Sequence, residues 1–216
     1  VIHSLRGGGT GRVCAALANA LAARGHVVTV AVNYLEESIW HDAFEAGVEL
    51  IHLGAGHARS SFVPLIQLLL RARPTTVLSF NYQLALALLL VRLPAMLLGA
   101  RRFRLVSRHI VALSESARIK SRRHRLLIKT VVKWLYRHVD LVVAQSDGMY
   151  CDLVENFRIL PGRARTIYNP VLPERDGGIP IDADDEVLPE PLQPHGSEPP
   201  VLLYLGRFKP QKQPLL

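Results

Sequence analysis

VIHSLRGGGTGRVCAALANALAARGHVVTVAV, residues 1–32, runs from a short apolar segment through four glycines in five positions. An alanine-rich segment follows, and then a second apolar run. Val13, Ala16, Leu17, Ala20 and Leu21 recur at the spacing of one helical stripe. Gly25 falls where a left-handed C-cap belongs. His26–Val32 is apolar on both of its alternating faces, as in a parallel strand covered by helices on each side. The unit therefore reads strand, glycine loop, helix, strand.

The same alternation continues outward. Val48–Leu53 reads as a strand, Phe62–Arg73 as a helix closed by Pro74, and Thr75–Phe80 as a strand. Leu84–Leu98 is helical, Phe103–Ile110 a strand, and Ser121–His138 a long helix. Asp140–Ser146 is a strand whose Ser146 caps a helix over Asp147–Asn156, and Arg165–Val171 completes the set. Strands and helices at this spacing imply right-handed crossovers and an α/β fold, a Rossmann-like doubly wound parallel sheet.

Residues 1–172 form this domain. Pro173–Pro200 holds seven of the fourteen prolines, eight acidic residues and one arginine, so residues 173–200 read as an acidic, proline-rich linker. Pro200–Phe208, PVLLYLGRF, restarts a buried-strand pattern, which makes residues 201–216 the opening of a second α/β domain. The chain starts without Met and stops at what reads as a helix start, so truncation at both ends is expected.

A hydrophobic fraction of 49% with 20% charged residues fits a globular protein with ample core. Cys14 and Cys151 are the two cysteines; they make no disulfide framework and no finger-type metal site, so a reducing cytoplasm is expected. The longest apolar segment, Leu84–Gly99, is under the length of a membrane span and carries Arg92 and Pro94, so it reads as a buried helix. The net charge of +8 is uneven: residues 101–138 hold twelve Lys and Arg against the single Glu115.

The glycine loop has two readings that its sequence leaves open. Gly7, Gly8, Gly9 and Gly11 let backbone approach an anionic or sugar ligand at a helix N-terminus, or they permit a tight turn and close helix packing. Two nucleotide motifs fail at fixed positions. A Walker A loop needs glycine where Arg6 stands and lysine where Arg12 stands, and the G-x-G-x-x-G fingerprint needs glycine at Arg12. GGTGRV is similar to the opening of atypical NAD(P)-binding reductases, with Glu36 near the end of the next strand. None of the six tyrosines has a lysine four residues on, so the tyrosine–lysine pair of short-chain reductases is missing. A Rossmann-type NAD(P)-dependent reductase is thus the alternative.

His138–Val171, HVDLVVAQSDGMYCDLVENFRILPGRARTIYNPV, closely resembles the hinge-ward end of the N-terminal domain of family 4 GT-B glycosyltransferases. There a strand ending in Ser starts a helix, a Pro/Gly turn follows, and a last strand enters an Asn-Gly/Pro-Val loop. VLLYLGRFKPQKQPLL is similar to the first strand and loop of the family's C-terminal domain, and residues 4–32 to its first strand, loop, helix and strand. The likeness covers nearly the whole chain in consistent order. It departs at Gly11, where the family often has Glu, and at Asn169–Pro170, where it has Asn-Gly. The family's two-glutamate motif would lie past Leu216.

The resemblance implies transfer of a sugar from a nucleotide diphosphate, in this case a UDP-sugar, to a lipid-linked or polysaccharide acceptor of the cell envelope, with retention. Arg207 and Lys212 match the positions that grip the donor diphosphate, and a planar fork and a point charge both suit phosphate oxygens. His109 stands where family members often have a histidine facing the transferred sugar. Gly8, Gly9 and Thr10 form the acceptor-side or phosphate loop. No Asp-x-Asp occurs in a site context, since DADDE (Asp182–Glu186) sits in the linker; no metal ligand and no cofactor beyond the nucleotide-sugar donor are expected. His3 and His52 carry no assigned role.

Arg122, Arg125, Lys129, Lys133 and Arg137 share one helical face, with Leu127, Val131, Trp134 and Leu135 on the other. One reading is a solvated basic face. The second is peripheral contact with an anionic membrane, at the inner face of the plasma membrane, which family members acting on lipid-linked acceptors often make. Zinc-finger spacing and RNA-binding aromatics are both missing, which argues against nucleic acid. A bare basic membrane-binding module is the non-enzyme alternative.

Overall fold

The structure is a computed structural model and describes residues 1–6, 8–35, 38–56, 58–118 and 130–170. The chain divides into two units, Val1–Leu172 and Pro173–Leu216. The second unit, on which the linker, Arg207 and Lys212 fall, lies outside the described residues.

Among the described residues seven strands occur, all paired in parallel. β1 (Ile2–Ser4), β2 (Val28–Tyr34) and β3 (Val48–His52) form one sheet in the order β1-β2-β3. β4 (Thr76–Ser79), β5 (Arg104–Arg108), β6 (Leu141–Ala144) and β7 (Ala164–Thr166) form the other in sequence order. Val1 joins them: its backbone N–H donates to Leu78 O, and its carbonyl accepts from Phe80 N–H at 3.1 Å. The strands therefore run β3-β2-β1-β4-β5-β6-β7. Between β1 and β4 the direction of winding reverses, and in open parallel sheets ligands bind outside the carboxyl ends at that reversal.

The helix α1 (Gly9–Ala23) ends as its sequence demands. Gly25 sits at φ +82°, its N–H bonds Ala22 O at 2.9 Å, and His26 N–H bonds Leu21 O at 3.1 Å, the paired bonds of a Schellman stop. The buried stripe differs from the one the leucines predict. Gly11, Val13, Cys14, Ala15 and Ala18 are the buried residues of α1. Small side chains let the helix lie close to the sheet, so the contact face turns toward glycine and alanine and leaves Leu17 and Leu21 partly exposed.

α2 (Phe62–Ala72) stops at Arg73 in left-handed conformation, directly before Pro74. α3 (Tyr82–Leu97) starts two residues earlier than its apolar run because Asn81 caps it, Oδ1 accepting from Leu84 N–H at 2.8 Å. One side of α3 buries Leu84, Ala85, Leu88, Val91 and Ala95, whereas Leu90, Leu93 and Leu97 are exposed. Among the described residues no helix is long and apolar enough to cross a membrane.

α4 (Leu113–Arg118) has no counterpart in the sequence pattern. α5 comprises residues 130–135 as described, followed by a tight turn at Tyr136–His138. Its anchors are Val132 and Tyr136, both buried; Trp134, placed on the apolar face by periodicity, is 62% exposed. α6 (Asp147–Cys151) is capped by Ser146, whose Oγ accepts from Met149 N–H at 3.3 Å, and it widens into a π turn at Asp152–Asn156.

Candidate functional site

The loop after β1 brings the amide end of α1 to the carboxyl edge of the sheet at the reversal point. Gly8 is the N-cap at φ +119°, a conformation that side chains rarely adopt. It offers no side-chain cap, and the first turn carries no acidic residue. The first-turn amides lack an intrahelical partner and attract anionic groups. Around Gly9 an added Cβ would meet nothing within 4 Å. At Gly11 it would meet the Trp40 indole, with Cδ1 at 2.4 Å. The two readings of the loop thus divide between its residues: Gly11 serves packing, Gly8 serves the turn, and Gly9 faces open space. Thr10 is half-buried in the first turn.

Across the reversal, β5 ends in Arg108 and His109 follows it. Alternation along the strand sends them to opposite faces. Arg108 is 5% exposed; its Nη2 donates to Asn169 Oδ1 and its guanidinium lies over the Phe80 ring at 5.8 Å. Burial pushes that guanidinium below its ordinary range, while Cys14 on α1 acts the other way.

His109 is 2% exposed and packs edge-on against Tyr136, with ring centroids 5.4 Å apart. Its backbone is pinned from two sides, N–H to Val143 O at 3.0 Å and O from Gln145 Nε2 at 2.7 Å. Nε2 is buried without a hydrogen-bond partner. Burial lowers its pKa to about 4, against the pull of Asp152, so the imidazole is neutral near pH 7. Beneath it, Tyr136 Oη and Ser107 Oγ share a hydrogen bond of 2.9 Å.

Asp152 opens the π turn and ties α4 down. It accepts from Ser114 N–H at 3.1 Å, from Ser114 Oγ–H, and from Asn156 Nδ2 at 2.9 Å. At the end of β4, Ser79 Oγ is also buried and unpartnered. On the outer side, Tyr168 Oη donates to Asp147 Oδ2 at 2.8 Å, which fixes the loop after β7 to the start of α6.

Of the residues singled out by sequence, Gly8, Gly9, Thr10 and His109 fall at this carboxyl edge. Arg207, Lys212, Glu36, Arg122, Arg125 and Lys129 lie outside the described residues. Lys133 is exposed, and Arg137 stacks on Trp134 with its guanidinium 3.9 Å from the ring centroid. Sequence reasoning overlooked Arg108 and Asp152. Arg108 carried one readable signal, a cation at the carboxyl end of a strand beside His109; Asp152 carried none.

A second hollow lies at the opposite, amino edge, lined by Thr75, Arg92, Arg101, Arg102, Arg104 and Asp140. Arg92 is committed to structure there, donating to Phe103 O at 2.6 Å and pairing with Asp140 at 3.3 Å. The hollow sits at the wrong end of the strands for the ligand crevice of a parallel sheet.

The glycosyltransferase family 4 model matches residues 7–175. The chain belongs to glycosyltransferase family 4. No curated protein matches it. Among solved structures it is similar to the lipopolysaccharide outer core galactosyltransferase WaaB in its apo form, at a TM-score of 0.58 and 14% identity. That match covers 81% of this chain and 49% of the other, so the chain spans about half the length of its structural neighbour. At that identity the likeness speaks for the fold, an α/β Rossmann-like arrangement that matches a GT-B glycosyltransferase. Family membership leaves the reductase alternative without an observation in its favour.

Proposed function

We propose that this domain is the acceptor-side half of a retaining glycosyltransferase that uses a UDP-sugar and a lipid-linked or polysaccharide acceptor. The observation that carries the reading is the open amide end of α1, facing free space at Gly9, at the sheet reversal of a family 4 chain. The donor is held mainly by a second lobe that begins near Val201, with Arg207 and Lys212 on its diphosphate. Breaking the glycosidic bond builds negative charge on the departing diphosphate. Fixed cations and main-chain amides stabilise that charge without a bound divalent ion, and one well-placed donor contributes about 3 kcal/mol of barrier. The leaving phosphate accepts the acceptor's proton on the same face, so no separate base is required.

His109 is the candidate contact to the transferred sugar. A neutral imidazole with an unused Nε2 can donate to or accept from a sugar hydroxyl. Its burial means that Tyr136 or its neighbours give way when substrate enters. Lys133, Arg137 and the exposed Trp134 suit peripheral contact with an anionic lipid surface, where each cation contributes about 1 kcal/mol. The remaining basic residues of that stretch, Arg122, Arg125 and Lys129, belong to the same reading.

Transfer of radiolabel from a UDP-hexose panel into membrane lipid extract tests the proposal. The 216-residue chain alone is expected to be inactive and to bind UDP weakly. The chain completed by its nucleotide-binding lobe is expected to transfer label in the presence of excess chelator. Robust turnover by the 216-residue chain itself refutes the placement of the donor site.

A further inference from the structure

Arg108 is a buried cation with a neutral partner. A guanidinium presents five N–H donors in a planar fork, and the bond to Asn169 Oδ1 uses one of them. Its guanidinium also lies over the Phe80 ring. Among the described residues no carboxylate pairs with it: the ion pairs found there join Asp42, Glu49 and Asp140 to other residues. An arginine taken out of water without a counter-charge is costly unless something anionic arrives.

Its position says where that anion comes from. Arg108 ends β5 on the face that carries Cys14 of α1, the same helix whose uncapped amide end opens onto the crevice. The Asn169 tether and the Phe80 ring hold the fork in one orientation. On the other face, His109 Nε2 and Ser79 Oγ are buried polar atoms that also lack partners. The carboxyl ends of β4 and β5 therefore hold more hydrogen-bonding capacity than the protein itself uses.

We infer that Arg108 is the phosphate-binding side chain of this half of the crevice, its guanidinium fork taking oxygens of a substrate phosphate group. The inference rests on the glycosyl-transfer reading above. That phosphate is supplied either by the donor's diphosphate or by a phosphate-bearing acceptor, and the two sources share the recognition chemistry.

The test uses the 216-residue chain labelled with ¹³C and ¹⁵N, the Arg108 Nε–H resonance being assigned through bonds from its own backbone in the wild-type chain. Inorganic pyrophosphate is expected to shift that resonance saturably. Arg108→Gln is expected to weaken binding by at least about tenfold, the loss of a charge-assisted hydrogen bond, with Arg108→Lys intermediate. Arg104→Gln, at the opposite edge of the sheet, leaves affinity unchanged. Asn169→Ala removes only the tether and is expected to keep affinity within about threefold; a structural role for Arg108 would instead make Asn169→Ala as damaging as Arg108→Gln.

Parallel titrations with UDP and with geranyl diphosphate identify the source by which of them Arg108→Gln weakens. An Arg108 resonance that stays still while amides of residues 8–11 move overturns the inference and leaves the crevice in place. No movement at the carboxyl edge with any of the three anions overturns both the inference and the reading beneath it. Because the wild-type resonance decides, a variant that fails to fold does not block the test.

Discussion

The Cδ1 atom of Trp40 stands 2.4 Å from the point where a Cβ on Gly11 would sit. Real Cβ atoms do not approach that closely, and the indole cannot retreat freely because its Nε1 is already buried. Gly11→Ala should therefore destabilise the domain by about 1–3 kcal/mol through overpacking. Gly9→Ala, which meets open space, should leave the melting temperature within about two degrees. Thermal melts of the two variants side by side check this, and Gly9→Val should reduce ligand binding where Gly11→Ala reduces stability.

His109 makes stability depend on pH. Its folded pKa of about 4 lies below the unfolded value of 6.5, so the unfolded state takes up the proton first as pH falls. Nothing is lost above 6.5; between 6.5 and 4 stability declines, by roughly 3 kcal/mol in all, and below 4 this contribution levels off. Urea melts of wild type and His109→Gln from pH 8 to 4 should converge at low pH as the variant escapes the penalty. Parallel curves would show that the histidine is not held neutral.

The two thiols should differ sharply. Burial pushes Cys14 up to about 11, with Arg108 pulling the other way, whereas Cys151 is exposed. At pH 8 the Cys14 thiolate fraction is about 10⁻³, and the thiolate is the reactive form. Ellman's reagent should therefore titrate one fast thiol in the native chain and two in denaturant. Loss of the fast phase in Cys151→Ser identifies it.

Ser146→Ala removes the acceptor for Met149 N–H at the start of α6. The expected cost is about 1 kcal/mol by chemical denaturation, with faster amide exchange confined to residues 147–151 and the π turn that follows.

Much of this was legible from local chemistry. Apolar runs of strand length alternating with helical stripes gave the class, and the caps Gly25 and Ser146 fell where their side chains demand. What the sequence could not carry was which side of α1 would be buried. Leucine spacing pointed one way, but close packing favours small residues, and Gly11, Cys14 and Ala18 won. Trp134 is a similar case, since Val132 and Tyr136 already fill the core side of the helical stretch and push the indole outward. The site was half visible. A glycine loop and a strand-end histidine announce themselves by type, whereas Arg108 acquires meaning only when β5, α1 and the loop at Asn169 meet. Asp152, eleven positions beyond the start of β6, works by reaching Ser114, a pairing no local pattern encodes.

The proposed function puts substrate at the carboxyl edge, between the start of α1 and the ends of β4 and β5. Hydrogen–deuterium exchange of the chain with and without saturating geranyl diphosphate reads out this placement residue by residue. Slowed exchange in residues 8–13, 80–84 and 108–110, with residues 101–104 unchanged, is the predicted result. Protection confined to the arginine-lined hollow around Arg101, Arg102 and Thr75 would contradict it.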